Sequence, residues 1–118
     1  MADASDNTSR TPPTRRRSPR VEGPFEGRRR GALTVGVRIH DLSAGGCLIE
    51  SSHAVQSGRR IEIDVELPNE GWISLFAETL DTRPHYGFAV KFVDVPEGTQ
   101  QQLERAIKRL LNKSPLDL

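Results

Sequence analysis

Two clusters of side chains in this sequence are equipped for chemistry. One is Arg15-Arg16-Arg17-Ser18-Pro19-Arg20, and the other is Asp41-Leu42-Ser43-Ala44-Gly45-Gly46. An arginine presents a planar fork that holds a phosphate at two points and stacks on flat rings, which the point charge of lysine cannot do. The carboxylate of Asp41 can accept two adjacent donors, the Ser43 hydroxyl can donate or accept, and Gly45 and Gly46 leave the backbone open to close approach. Guanine offers N1–H and N2–H side by side to a carboxylate, and O6 and N7 to an arginine. A small ligand carrying guanine bases and phosphates would use every one of these groups. The second cluster also has a plainer reading, a hairpin turn whose Asp and Ser satisfy their own backbone.

The charge distribution favours the first reading. The 118 residues carry a net charge of +1, which conceals a segregation. Eight arginines and two acids lie between Arg10 and Arg30, a local balance of +6. Of the chain's 17 basic and 16 acidic residues, nine and fourteen then remain, a balance of −5. A basic arm on an acidic body suits a compact anion. No lysine lies among the positive charges of the arm, which points to phosphate and base recognition rather than general solvation. A nucleic-acid-binding barrel is the rival, but the arm holds a single aromatic, Phe25, for stacking bases, and an acidic body repels a polyanion.

Other chemistries find little support. His40, His53 and His85 are scattered without partners at metal-ligand spacing, and the single cysteine, Cys47, sits in an apolar run as a small hydrophobe. His40 beside Asp41 suggests a proton shuttle, but neighbours along a regular strand face opposite sides. No glycine-rich loop precedes a basic helix, so a P-loop is excluded. The expectation is a protein without catalysis, metal or cofactor. No apolar run approaches the ~20 residues that span a bilayer, and Met1 to Asp6 does not begin a secretory signal, so a cytoplasmic location is expected.

The elements that must position these groups follow from periodicity. Residues 1–14 have almost nothing to bury and should be a disordered tail. Pro19 disfavours a helix through the arginines, leaving an extended arm. Strand character is weak from Val21 to Gly27, with at most a short strand near Phe25, and the Arg28-Arg29-Arg30 triplet reads as solvated. Leu33, Val35, Val37 and Ile39 alternate with polar or small residues, a half-buried strand that ends at the Asp41–Gly46 turn. Cys47 to Glu50 is the next strand, and residues 51–58 a loop. Ile61, Ile63, Val65 and Leu67 alternate with Glu62, Asp64 and Glu66, a strand with an acidic outer face. Residues 68–71 form a turn, Trp72 to Glu78 pairs back, Asp81 to His85 turns again, and Tyr86 to Phe92 is the last strand. After Pro96 the period becomes helical: Leu103, Ala106, Ile107, Leu110 and Leu111 share one side, and Glu104, Arg105, Lys108 and Arg109 the other. Residues 113–118 should fray. Five or six antiparallel strands and one amphipathic helix make a mainly β fold, a small barrel closed by that helix.

In this setting the sequence resembles the PilZ domain family. Arg16-Arg17-Ser18-Pro19-Arg20 fits RxxxR and Asp41 to Gly46 fits (D/N)xSxxG, in the order the family has them; the likeness covers residues 15–112 and includes Gly87-Phe88-Ala89-Val90-Lys91-Phe92. The resemblance implies a six-stranded antiparallel β-barrel over about 21–95, with the helix over about 96–112, that binds the bacterial second messenger cyclic di-GMP. It implies that Arg16 and Arg20 hold phosphates and a guanine Hoogsteen edge, that Asp41 and Ser43 contact a guanine, and that Gly46, with Gly45 beside it, allows the close approach. Arg15 directly precedes the motif, as in members that hold two intercalated ligand molecules, and Arg17 within the motif is a further candidate for ligand contact. A receptor of this kind would signal through an altered surface for a downstream protein; a PilZ-fold adaptor that does not bind the nucleotide is the other reading the resemblance allows.

Overall fold

The computed structural model describes residues 19–51, 55–83 and 86–112. Arg10, Arg15, Arg16 and Arg17, the N-terminal tail, His53, His85 and residues 113–118 lie outside the described residues. Six strands, β1 (Val21–Arg30), β2 (Val35–Leu42), β3 (Gly46–Glu50), β4 (Arg60–Leu67), β5 (Gly71–Arg83) and β6 (Gly87–Val93), precede one helix, α1 (Glu97–Asn112). The strands close into an antiparallel barrel in the order β1-β2-β3-β6-β5-β4. Mainly β with a C-terminal helix is therefore the fold, as the periodicity implied.

Among the described residues, the alternation of β4 and β5 supplies seven of the eighteen that are buried in the core. Ile61, Ile63, Val65 and Leu67 pair with Ala77, Leu75, Ile73 and Gly71, and all but Gly71 are buried. Phe88 and Val90 of β6, Cys47 and Ile49 of β3, and Ile39 and Leu42 of β2 complete the core around the barrel. Helix α1 adds Leu103, Ala106 and Ile107 to the same cluster. Leu111, expected on this apolar side, is 46% exposed instead, because its position falls at the edge of the helix stripe beyond Ile107.

Several local expectations need correction. β1 is a full ten-residue strand, and its alternation was hidden by what occupies the inward positions. Val21 and Phe25 are buried, but the next inward positions are Gly27 and Arg29, paired with Val65 and Ile63. Gly27 is there because a Cβ would lie 3.0 Å from Ile39 Cδ1 and 3.1 Å from Val37 Cγ2. β2 begins at Val35 rather than Leu33, which is 78% exposed on the connection, and it continues through Asp41 and Leu42. β5 likewise runs to Arg83, past the turn expected from Asp81. The outer face of β4 is acidic as expected but not uniformly exposed. Asp64 is 1% exposed, with Arg30 Nε 2.8 Å and Arg28 Nη2 3.3 Å from its Oδ2 and Ser74 Oγ donating to its Oδ1 at 2.8 Å. Arg28 also stacks on Trp72, 3.9 Å from the ring centroid. Two of the three triplet arginines thus share one buried carboxylate against the barrel wall, half-exposed rather than fully solvated.

Candidate ligand-binding site

The stretch from Ile39 to Gly46 is shaped by a bulge. Ile39 pairs with Ile49 and Asp41 with Leu48, so His40 is the extra residue opposite one step of β3. The bulge resets the alternation, which lets Ile39 and Leu42 both face the core although three residues apart. His40 and Asp41 consequently both lie on the outer side, against the expectation that neighbours face opposite ways. They do not form a shuttle. His40 Nδ1 lies 3.3 Å from Glu50 Oε2, whereas Asp41 turns to Arg20.

Asp41 and Ser43 divide the two readings between them. Ser43 is 7% exposed and satisfies its own turn: its N–H donates to Gly46 O at 2.8 Å, its hydroxyl donates to the same oxygen at 3.3 Å, and Gly45 N–H donates to Ser43 Oγ at 3.2 Å. Asp41 does not cap this turn. Its Oδ1 accepts from Arg20 Nη1 at 2.7 Å, and its side chain is 18% exposed. Arg20, directly before β1, is 64% exposed and free to exchange partners. Glu22 pairs with Asp41 across β1 and β2, which brings Arg20, the last arginine of the RxxxR motif, beside the turn.

The two glycines behave differently. A Cβ on Gly46 would sit 2.2 Å from Val90 O of the neighbouring strand β6, so glycine is demanded there by sheet packing alone. A Cβ on Gly45 would meet nothing within 4 Å, and this exposed residue faces open space although its carbonyl accepts from Phe92 N–H at 2.9 Å. Beside Gly45 and Pro19 lies a recess of about 570 Å³, walled on the far side by Phe92 and by Gln100, Ile107 and Lys108 of α1. Cys47 takes no part in this chemistry, since burial, and secondarily the Asp41 charge, push its thiol far above the ordinary range.

Of the eight residues assigned to the site from sequence, the structure brings Arg20, Asp41, Ser43, Gly45 and Gly46 to one end of the barrel. Arg15, Arg16 and Arg17 lie outside the described residues. Sequence reasoning missed the helix wall of the recess. The polar residues Gln100 and Lys108 read as a solvated face, and nothing in their spacing says that the turn faces them. It also missed the carboxylate that anchors that helix: Glu70, in the β4–β5 turn, receives Arg105 at 3.0 Å and Arg109 at 3.4 Å. Among the described residues no group of three or more His, Cys, Asp or Glu side chains could hold a metal ion, and no helix is long and apolar enough to cross a membrane.

Comparison with known structures matches this architecture. Bacillus subtilis MotI/DgrA, an inhibitor of motility, superposes with a TM-score of 0.72 at 22% identity over 85% of this chain and 53% of its own. The PilZ domain of Escherichia coli YcgR, solved with c-di-GMP, gives 0.67 at 23% identity over 84% of this chain and 93% of that domain. Klebsiella pneumoniae MrkH in its c-di-GMP complex gives 0.73 at 17% identity over 86% and 55%. The chain therefore spans about half the length of MotI/DgrA and MrkH and nearly all of the YcgR domain. A search of curated proteins finds no match. The PilZ domain family matches residues 14–109, which include both motifs, all six strands and most of α1, and the chain belongs to that family.

Proposed function

We propose that this chain is a receptor for cyclic di-GMP that signals by changing the surface it offers to a partner protein, without catalysis. The observation that carries the reading is the Arg20–Asp41 pair at 2.7 Å, because Asp41 is held outside the core by a bulge and is not used to cap its own turn. In the free protein the two groups satisfy each other. A guanine edge supplies Asp41 with two N–H donors in place of one guanidinium, and releases Arg20 to a phosphate or to O6 and N7. The exchange leaves neither group without a hydrogen-bond partner, and the open space over Gly45 admits the base plane. Arg16 completes the RxxxR pair with Arg20, while Arg15 and Arg17 supply the further cations that two stacked ligands with four phosphates require. Ser43 contributes through the turn it locks. A cytoplasmic location and a downstream protein partner belong to this reading.

Isothermal titration of the full chain with cyclic di-GMP tests it. Binding that is lost in Asp41→Ala and Arg20→Ala, and that prefers cyclic di-GMP to cyclic di-AMP, is expected. Absence of binding in the wild type would leave the adaptor reading in its place. Saturation at two ligands per chain, falling to one in Arg15→Leu, is the expected stoichiometry.

A further inference from the structure

The opposite end of the barrel carries a second, unrelated feature. β2 runs from Val35 at this far end to Leu42 beside the nucleotide-binding turn. Between the β1–β2 connection and the start of β4 lies a recess of about 960 Å³. This is at the upper end of the roughly 300–1,000 Å³ typical of small-molecule sites. Its floor is apolar, made by Val37, Ile61 and Phe88, and Leu33 and Val35 stand exposed at its lip. Its rim is tied down, since Thr79 and Thr82 of β5 hold Val55 and Gln56 by hydrogen bonds to main-chain groups.

Four arginines and one acid, Glu62, line it. Two of the arginines are already ion-paired: Arg30 with Asp64 at 2.8 Å, a carboxylate it shares with Arg28, and Arg60 with Asp94 at 2.8 Å. The other two are not. Arg59 donates to the neutral amide oxygen of Gln56 at 3.0 Å. Arg29 is the unusual one, because it occupies an inward position of β1, level with the fully buried Ile63. Its guanidinium lies 5.9 Å from the ring centroid of Phe88, at the outer limit of a cation–π contact. Among the described residues it has no carboxylate partner and no hydrogen bond. A half-buried cation over an apolar floor costs free energy that an anion entering the recess returns.

We infer that this barrel mouth is a binding site for a small amphiphilic carboxylate, its apolar tail on Val37, Ile61 and Phe88 and its carboxylate between Arg29 and Arg59. The inference is independent of the cyclic di-GMP reading, since it shares no residue with the Arg20–Asp41 end. The partner's charge is fixed by the two unneutralised guanidiniums, and its tail by the floor and by the exposed Leu33 and Val35.

The test titrates decanoate, decanol and decyltrimethylammonium into the full chain with labelled methyl groups, followed by NMR. Decanoate is expected to shift the Leu33, Val37 and Ile61 methyls, with decanol at least roughly tenfold weaker, as loss of one charge-assisted interaction dictates, and the cation not binding. Arg29→Leu should sharply reduce the preference for decanoate over decanol, leaving only what Arg59 supplies, whereas Arg29→Lys should retain it, and the cyclic di-GMP titration should be the same in all three chains. Equal affinity for decanoate and decanol in the wild type would overturn the proposal, as would shifts confined to the recess beside Gly45. So would Leu33 and Val35 signals that move with protein concentration alone, because a second copy of the chain would then be the occupant.

Discussion

Replacing Asp41 by alanine takes away the acceptor that no backbone group replaces, and it leaves Arg20 without its partner at 2.7 Å. Arg20 is 64% exposed, so water resolvates it and the fold should lose less than about 1 kcal/mol. Ligand binding should lose far more, because charge-assisted bonds are worth about 1.5–3 kcal/mol each. Asp41→Asn keeps one acceptor and introduces donors facing guanine donors, so it should fall between. Thermal melts and titration on the same samples separate the two effects, and a large drop in apo melting temperature for Arg20→Ala would contradict its placement outside the core. The adjacent glycines allow a sharper contrast. Gly46→Ala drives a Cβ to 2.2 Å from Val90 O, and backbone on backbone cannot yield cheaply, so about 1–3 kcal/mol of stability or more should be lost. Gly45→Ala meets open space and should leave the melting temperature near wild type, while binding weakens if the base plane lies over it. The sequence showed that these positions were special but not which cause made each so. A motif glycine reads the same whether a ligand or a neighbouring strand requires it.

At the scale of elements, the buried carboxylate of Asp64 joins β1, β4 and β5 by receiving Arg28, Arg30 and Ser74. Asp64→Ala would leave two guanidiniums crowded together without their counter-charge. A fully buried pair broken from one side costs about 3–5 kcal/mol. Arg28 and Arg30 are 41% and 49% exposed and can be resolvated, so the loss should fall below that. Asp64→Asn should cost less still because it keeps acceptors for Ser74 and one arginine. Chemical denaturation of the three chains checks the order, and an Asp64→Ala protein as stable as wild type would show the network to be dispensable. This network also explains where periodicity succeeded and where it stopped. β4 and β6 were legible because every inward position carries a large apolar side chain. β1 was nearly invisible because Gly27 and Arg29 hold inward positions, one excluded from bulk by Ile39 and Val37 and the other facing a recess. Asp64 looked like one more solvated acid, since alternation reports which way a side chain points but not what covers it. The bulge at His40 was likewise silent, because a bulge is a relation between two strands and only one is read at a time.

Across the whole molecule, α1 is held to the barrel by two kinds of force. Leu103, Ala106 and Ile107 bury apolar surface, and Glu70 of the β4–β5 turn receives Arg105 and Arg109 from the same helix. Because α1 also walls the recess beside Gly45, this tie bears on the proposed binding end as well as on stability. The hydrogen bond from Arg105, with its charge and the contribution of Arg109, holds the Glu70 carboxyl below its ordinary 4.5. A group whose folded pKa is depressed binds protons more readily in the unfolded chain, so stability rises with pH between the two values. The contribution of Glu70 is therefore complete above pH 4.5 and disappears as pH falls through its lower folded value. Glu70→Gln keeps the side-chain shape and removes the charge. The melting temperature of the wild type should exceed that of Glu70→Gln at neutral pH, and the gap should narrow progressively as the solution is acidified below pH 4.5. Added salt should narrow the same gap at neutral pH, because Arg105 and Arg109 are 54% and 45% exposed and open to screening. No gap between the two chains at neutral pH would mean that the charge of Glu70 contributes nothing. The helix would then be held by Leu103, Ala106 and Ile107 alone.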